Sequence, residues 1–116
     1  MKYRQGDVLI KSVDKIRGKK KENLVLAYGE VTGHRHEVVA DVATLYEENG
    51  MMYLHIEDEK ATLYHGTTEQ IEKQKEGIEL DYGKEDCHKP VVLPKGNYEI
   101  NIQREYTPKG WQKVAD

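Results

Sequence analysis

Asn49-Gly50 stands between two segments in which apolar and polar residues alternate, "RHEVVADVATLYEE" before it and "MMYLHIE" after it. Both residues of an Asn-Gly pair tolerate positive φ, which the tightest antiparallel hairpin requires. A chain with this signal at its centre is constrained to antiparallel β structure there. Similar short strand candidates recur on both sides: "DVLIKSV" (residues 7 to 13), "NLVLAYGEV" after the basic loop "DKIRGKKKE", and "ATLYH" after the charged turn "EDEK". "IELDY", "PVVLP", "NYEINIQREY" and a final "WQKVAD" complete the series. Strands at this spacing predict an all-β barrel or sandwich. Residues 66 to 77, "GTTEQIEKQKEG", break the pattern, and Thr67-x-x-Gln70 has the form of a capping box. We expect a single domain over residues 1–116, with a short helical or disordered insertion at 66–86.

Composition narrows the class. The chain has 116 residues, 37% hydrophobic and 34% charged, so a small core lies inside a charged shell. Tyr 8, Trp 1 and Phe 0 place most aromatic rings where a hydroxyl finds a partner. A formal net charge of −3 gives no global attraction to nucleic acid or to an anionic membrane. Cys87 is the only cysteine, which excludes an internal disulfide. No apolar run reaches the length of a membrane span, and we expect no signal peptide, because "MKYRQGDVLI" goes straight into a strand-like pattern. The expectation is a soluble cytoplasmic protein, with homo-oligomerisation open.

"GEVTGHRHEV" carries two histidines one residue apart. Alternate residues of a strand face opposite sides. His34, His36, Val38 and Ala40 therefore share one face, and the more charged Arg35, Glu37, Val39 and Asp41 share the other. The less charged set is the candidate inner face. In "ATLYH" the same test places Ala61, Leu63 and His65 together, with Thr62 and Tyr64 opposite. His88 precedes "PVVLP", and an insertion that loops out returns it to the rim reached by His65. The phase of His55 is ambiguous. Neutral imidazoles at i and i+2 suit Zn²⁺, Fe²⁺, Ni²⁺, Mn²⁺ or Cu²⁺. His34 and His36 are the expected core metal ligands, with His65 and His88 completing the set. A polar lining without metal is the plainer reading of the same residues.

Other groups carry weaker chemistry. Arg104, Glu105 or Gln103 in "QREYTP", and Tyr64, are candidate ligand contacts, and Glu30, Glu105 or Tyr64 a candidate proton carrier; an edge-strand ion pair ending at Pro108 explains "QREYTP" equally. Lys15, Arg17, Lys19, Lys20 and Lys21 could track a phosphate backbone, but Asp14 and Glu22 flank them and no aromatic residue interleaves them. Cys87 beside His88 invites a nucleophile or a fourth metal ligand, although adjacent extended residues point apart.

"GEVTGHRH" followed by Pro94-Lys95-Gly96 in "LPKGNYEI" resembles the metal motifs of cupins. That resemblance implies a β-barrel and an ion held by two histidines, an acid and a further histidine. The acid would be Asp41, whose parity opposes His36, and Glu99 stands where the further histidine is expected. "RQGDVLI", "GEVTGHRH", "LPKGNYEI" and "QREY", in this order, resemble a set of small uncharacterised bacterial and phage proteins. In that set two histidines often fall just before Leu-Pro-x-Gly; here His88 is there, and its nearest histidine is His65, across the insertion. The resemblance implies a similar fold and a shared site. Two functions are expected to compete: a cupin-like, metal-dependent enzyme acting on a small molecule through a metal-activated water, and a non-enzymatic binding module for a nucleotide, nucleic acid or protein partner.

Overall fold

The protein is described by a computed structural model covering residues 1–28, 33–107 and 110–113, with the backbone alone for 104–107 and 110–113. It is an all-β domain. In chain order the elements are β1 (Lys2–Gln5), β2 (Val8–Ser12), β3 (Lys19–Lys20), β4 (Val25–Tyr28), β5 (Arg35–Val39), β6 (Ala43–Glu48), β7 (Met51–Gly66), α1 (Thr68–Lys75), β8 (Val91–Ile102), β9 (Arg104–Thr107) and β10 (Gly110–Lys113). One antiparallel sheet runs β1-β2-β8-β7-β5-β4; β6 joins β7 and β3 joins β6 off that path. β9 and β10 form a separate two-stranded ladder.

The Asn-Gly hairpin forms between β6 and β7, where Glu48 faces Met51 and both turn residues have positive φ, 49° and 81°. A second tight turn was not expected. Gly6, at φ 59°, and Asp7 join β1 to β2, with Gln5 paired to Val8.

Two further differences concern length. "EDEK" is not a turn, because β7 runs unbroken through it, and β8 likewise runs through Pro94-Lys95-Gly96. The register shifts between Ile56 and Lys60, where four steps along β7 face two along β8. A bulge of this kind bends a strand without ending it, and it lets charged residues project at the bend. It also resets the phase. Leu54 and Ile56 point inward before it, Ala61, Leu63 and His65 after it. Conversely, "RHEVVADVATLYEE" is two strands. The chain turns at residues 40 to 42, where the Asp58 carboxylate accepts the N–H groups of Asp41 and Val42, each at 2.6 Å.

The bent strands wrap one core of Val8, Ile10, Val38, Leu45, Leu54, Ile56, Leu63, Leu93 and Ile100, each at most 3% exposed. α1 packs against β7. Thr67 and Gln70 form the reciprocal capping box, and Gly77, at φ 85°, ends the helix in a Schellman motif, its N–H donating to the Gln74 carbonyl and that of Ile78 to the Lys73 carbonyl. Ile71 and Gln74, three apart, are its buried residues. The helix begins where β7 ends because Gly66 permits it: a Cβ there would stand 2.7 Å from Gln70 Oε1. Among the described residues no helix is long and apolar enough to cross a membrane.

Candidate functional site: a buried histidine cluster

β5 and β7 pair with His36 directly opposite His65, and directly opposed residues of an antiparallel pair project from the same face. His34 shares the parity of His36 one step outside β5. His88 arrives from the segment after α1, and its backbone N–H donates to His65 Nδ1 at 2.9 Å. The four rings thus meet. Ring centroids lie 4.3 Å apart for His36–His65, 4.9 Å for His65–His88, 5.7 Å for His34–His65 and 6.5 Å for His36–His88. His34, His36 and His65 are buried, while His88 is partly exposed.

The β1–β2 turn adds two groups that strand parity did not reveal. Gln5 and Asp7, 2% and 3% exposed, flank Gly6. Gln5 Nε2 donates to the carbonyls of Leu63 (3.0 Å) and Lys89 (2.9 Å), and this fixes the orientation of its amide. Oε1 is then the atom 2.8 Å from His36 Nδ1, so Nδ1 must carry the proton. In neutral His36 the lone pair is at Nε2, 3.7 Å from Asp7 Oδ1. That separation is too long for a hydrogen bond.

His65 is set the opposite way. Its Nδ1 accepts the His88 N–H, so the neutral ring carries its proton on Nε2. Gln74 of α1 holds the same residue from behind, donating to the His65 carbonyl at 3.1 Å. Both ring nitrogens of His34 are buried with no hydrogen-bond partner among the described residues. Leaving such groups unsatisfied costs about 1–3 kcal/mol each.

The remaining candidates lie elsewhere. Tyr64 is on the outer face of β7, opposite Glu37, and does not join the histidines. Asp41 is exposed in the β5–β6 turn, and Glu99 pairs with Lys11 and Tyr53 on β8. The side chains of Arg104 and Glu105, together with Glu30 and Pro108, lie outside the described residues. Gln103, between β8 and β9, accepts from Arg4 Nη2 at 2.6 Å. Cys87 is buried, and its thiol is pushed up by that burial first and by Glu85 and Asp86 next, so it is held protonated rather than as a nucleophilic thiolate. Among the described residues no group of three or more His, Cys, Asp or Glu side chains is gathered tightly enough to hold a metal ion.

The burial of Leu54 and Ile56 settles the phase of His55, which lies on the opposite face in a separate hollow with Asp14, Lys15, Tyr46 and Asn97. Its Nδ1 lies 2.6 Å from Asn97 Oδ1 and its Nε2 3.2 Å from Glu57 Oε1. These acceptors, Asn97 first, favour the doubly protonated ring and raise its pKa from 6.5. A raised value means that the protonated ring stabilises the fold below pH 6.5, and that this contribution disappears as pH rises through the folded-state value. An NMR titration of the His55 ring is expected to give a midpoint above 6.5, and Asn97→Ala is expected to bring it down. A wild-type midpoint below 6.5 would contradict the assignment.

Fold and site together define a small all-β domain with an internal histidine cluster, braced by a glutamine and faced by a buried carboxylate. The chain belongs to the family described as a domain of unknown function, DUF8820, whose match covers residues 4–103 and so takes in Gln5, Asp7 and all four clustered histidines. No curated protein and no solved structure matches the chain.

Proposed function

We propose that this domain binds one divalent metal ion between His36 Nε2 and Asp7. The observation that carries the reading is the pair of constraints on His36: Gln5 holds the proton on Nδ1, and Nε2 stands 3.7 Å from a buried carboxylate oxygen. Metal-ligating histidines characteristically donate their other ring N–H to a fixed acceptor. Two donors each about 2.0–2.2 Å from one ion are separated by ~3.5 Å at near-tetrahedral angles. Their spacing supports coordination better than direct bonding.

His34 is the proposed third donor, because both of its buried ring nitrogens lack a hydrogen-bond partner among the described residues. Two imidazoles and one carboxylate suit Zn²⁺, Fe²⁺, Mn²⁺ or Ni²⁺ and leave coordination positions open. His65 does not ligate through Nε2 in this tautomer; it offers an N–H there instead. Water in an open position would be activated for attack on a small substrate, as in the cupin-like reading, but with Asp7 as the acid in place of Asp41.

The test is metal content and stability of untagged protein. About one equivalent is expected after exposure to these ions. Ion at 100 times its Kd adds roughly 2.7 kcal/mol, enough to raise Tm by about 10 °C in a domain of this size. Content far below one equivalent, with no change of Tm on adding or chelating metal, would contradict the proposal.

A further inference from the structure

The geometry points to a second element of the site: a small organic carboxylate binds in the cleft over His88, at the mouth of the histidine cluster. This cleft, about 350 Å³, is lined by Arg4, Lys89, His88, Tyr82, Pro90 and Val91, with Gln5 and Cys87 also in its wall. Its size is at the small end of ligand pockets. Among the described residues, Arg4 and Lys89 are its formal cations, both exposed, and no acid contributes to the lining.

Arg4 is held in place by neutral acceptors. Its Nε donates to the Gly6 carbonyl at 2.8 Å and its Nη2 to Gln103 Oε1 at 2.6 Å. Neither bond involves a carboxylate, and N–H donors at Nη1 remain. An oriented guanidinium is suited to a planar carboxylate. Tyr82, Pro90 and Val91 provide an apolar wall for a short carbon body, which favours an organic anion over inorganic phosphate.

The cleft reaches the cluster through two of its own residues. Gln5 forms part of the cleft and bonds His36; His88 lines the cleft, and its ring lies 4.9 Å from that of His65. A ligand anchored at Arg4 would therefore lie beside the one partly exposed histidine of the four. That this ligand is a substrate rests on the metal reading; that it binds does not.

The experiment uses untagged, chelator-stripped protein titrated with succinate, and separately with phosphate and chloride, while the His88 ring and Arg4 side-chain signals are followed by NMR. Saturable shifts with succinate are expected, weakened about 10-fold or more by Arg4→Met and less by Arg4→Lys, which keeps the charge and loses the fork. Lys89→Met, on an exposed side chain, is expected to weaken binding about 3-fold. Absence of saturable shifts, tighter binding of phosphate than of succinate, or equal succinate binding by wild type, Arg4→Lys and Lys89→Met would each overturn the proposal. Failure of succinate to bind removes the carboxylate site and leaves the metal reading standing. Failure of metal uptake with succinate binding intact removes the metal alone.

Discussion

Asp7→Asn is expected to reduce metal affinity by roughly 100-fold or more, since it removes a charged ligand where loss of an outer partner alone costs about 10–100-fold. Its effect on the metal-free protein separates two accounts of the same 3.7 Å contact. If Asp7 and His36 form a buried ion pair, removing the carboxylate strands a charged imidazolium, and the apo-protein loses about 3–5 kcal/mol. If Asp7 and a neutral His36 instead serve as metal ligands, the amide strands no charge on His36, and the apo-protein loses much less than that. The metal account predicts the second outcome: metal-dependent stabilisation disappears, while denaturant unfolding in chelator changes much less.

Gln5→Leu is the second substitution with a large expected effect. It strands the carbonyls of Leu63 and Lys89 and the Nδ1–H of His36. At about 1–3 kcal/mol per unsatisfied buried group, a loss of roughly 3 kcal/mol or more is expected in denaturant unfolding. Metal affinity should fall about 10–100-fold as His36 loses its orientation and tautomer. Gln5→Glu distinguishes the two roles. Its carboxylate still accepts from His36 but cannot donate to either carbonyl, so stability should fall while much of the metal affinity is kept. Equal affinity in Gln5→Leu and wild type would show that the amide has no part in setting the His36 lone pair.

The β class and much of the cluster were legible because strand alternation is a local property. Val38 and Leu63 are buried in step with His36 and His65, as the parity of "HRHEVVA" and "ATLYH" requires. Asn49-Gly50 and Thr67-x-x-Gln70 were legible for the same reason, since a hairpin turn and a capping box are complete within four residues. What alternation cannot give is a change of phase. The bulge after Ile56 let "EDEK" read as a turn, and His55 had no assigned face because Met51 and Tyr53 share its parity while Met52, Leu54 and Ile56 oppose it. Gly6 acts similarly at the other end of the site. Its positive φ turns the chain between Gln5 and Asp7 and buries both, although neither belongs to an apolar alternation. "RQGDVLI" displayed both residues; the long-range bonds that give Gln5 its meaning, to Leu63, Lys89 and His36, cross 31 to 84 residues of chain. The cupin pattern directed attention to Asp41, which follows His36 closely in sequence and ends exposed in a turn. The acid that faces His36 comes instead from the β1–β2 turn.

The central claim concerns one atom, Nε2 of His36. NMR of protein carrying isotope-labelled histidine, loaded with NMR-active cadmium, reads that atom directly. The account predicts a one-bond metal–nitrogen coupling at His36 Nε2, with Nδ1 still protonated by virtue of Gln5, and loss of the coupling in Asp7→Asn at the same metal concentration. A His36 ring protonated at both nitrogens, with no coupling at saturating cadmium, would contradict it and establish the buried ion pair instead.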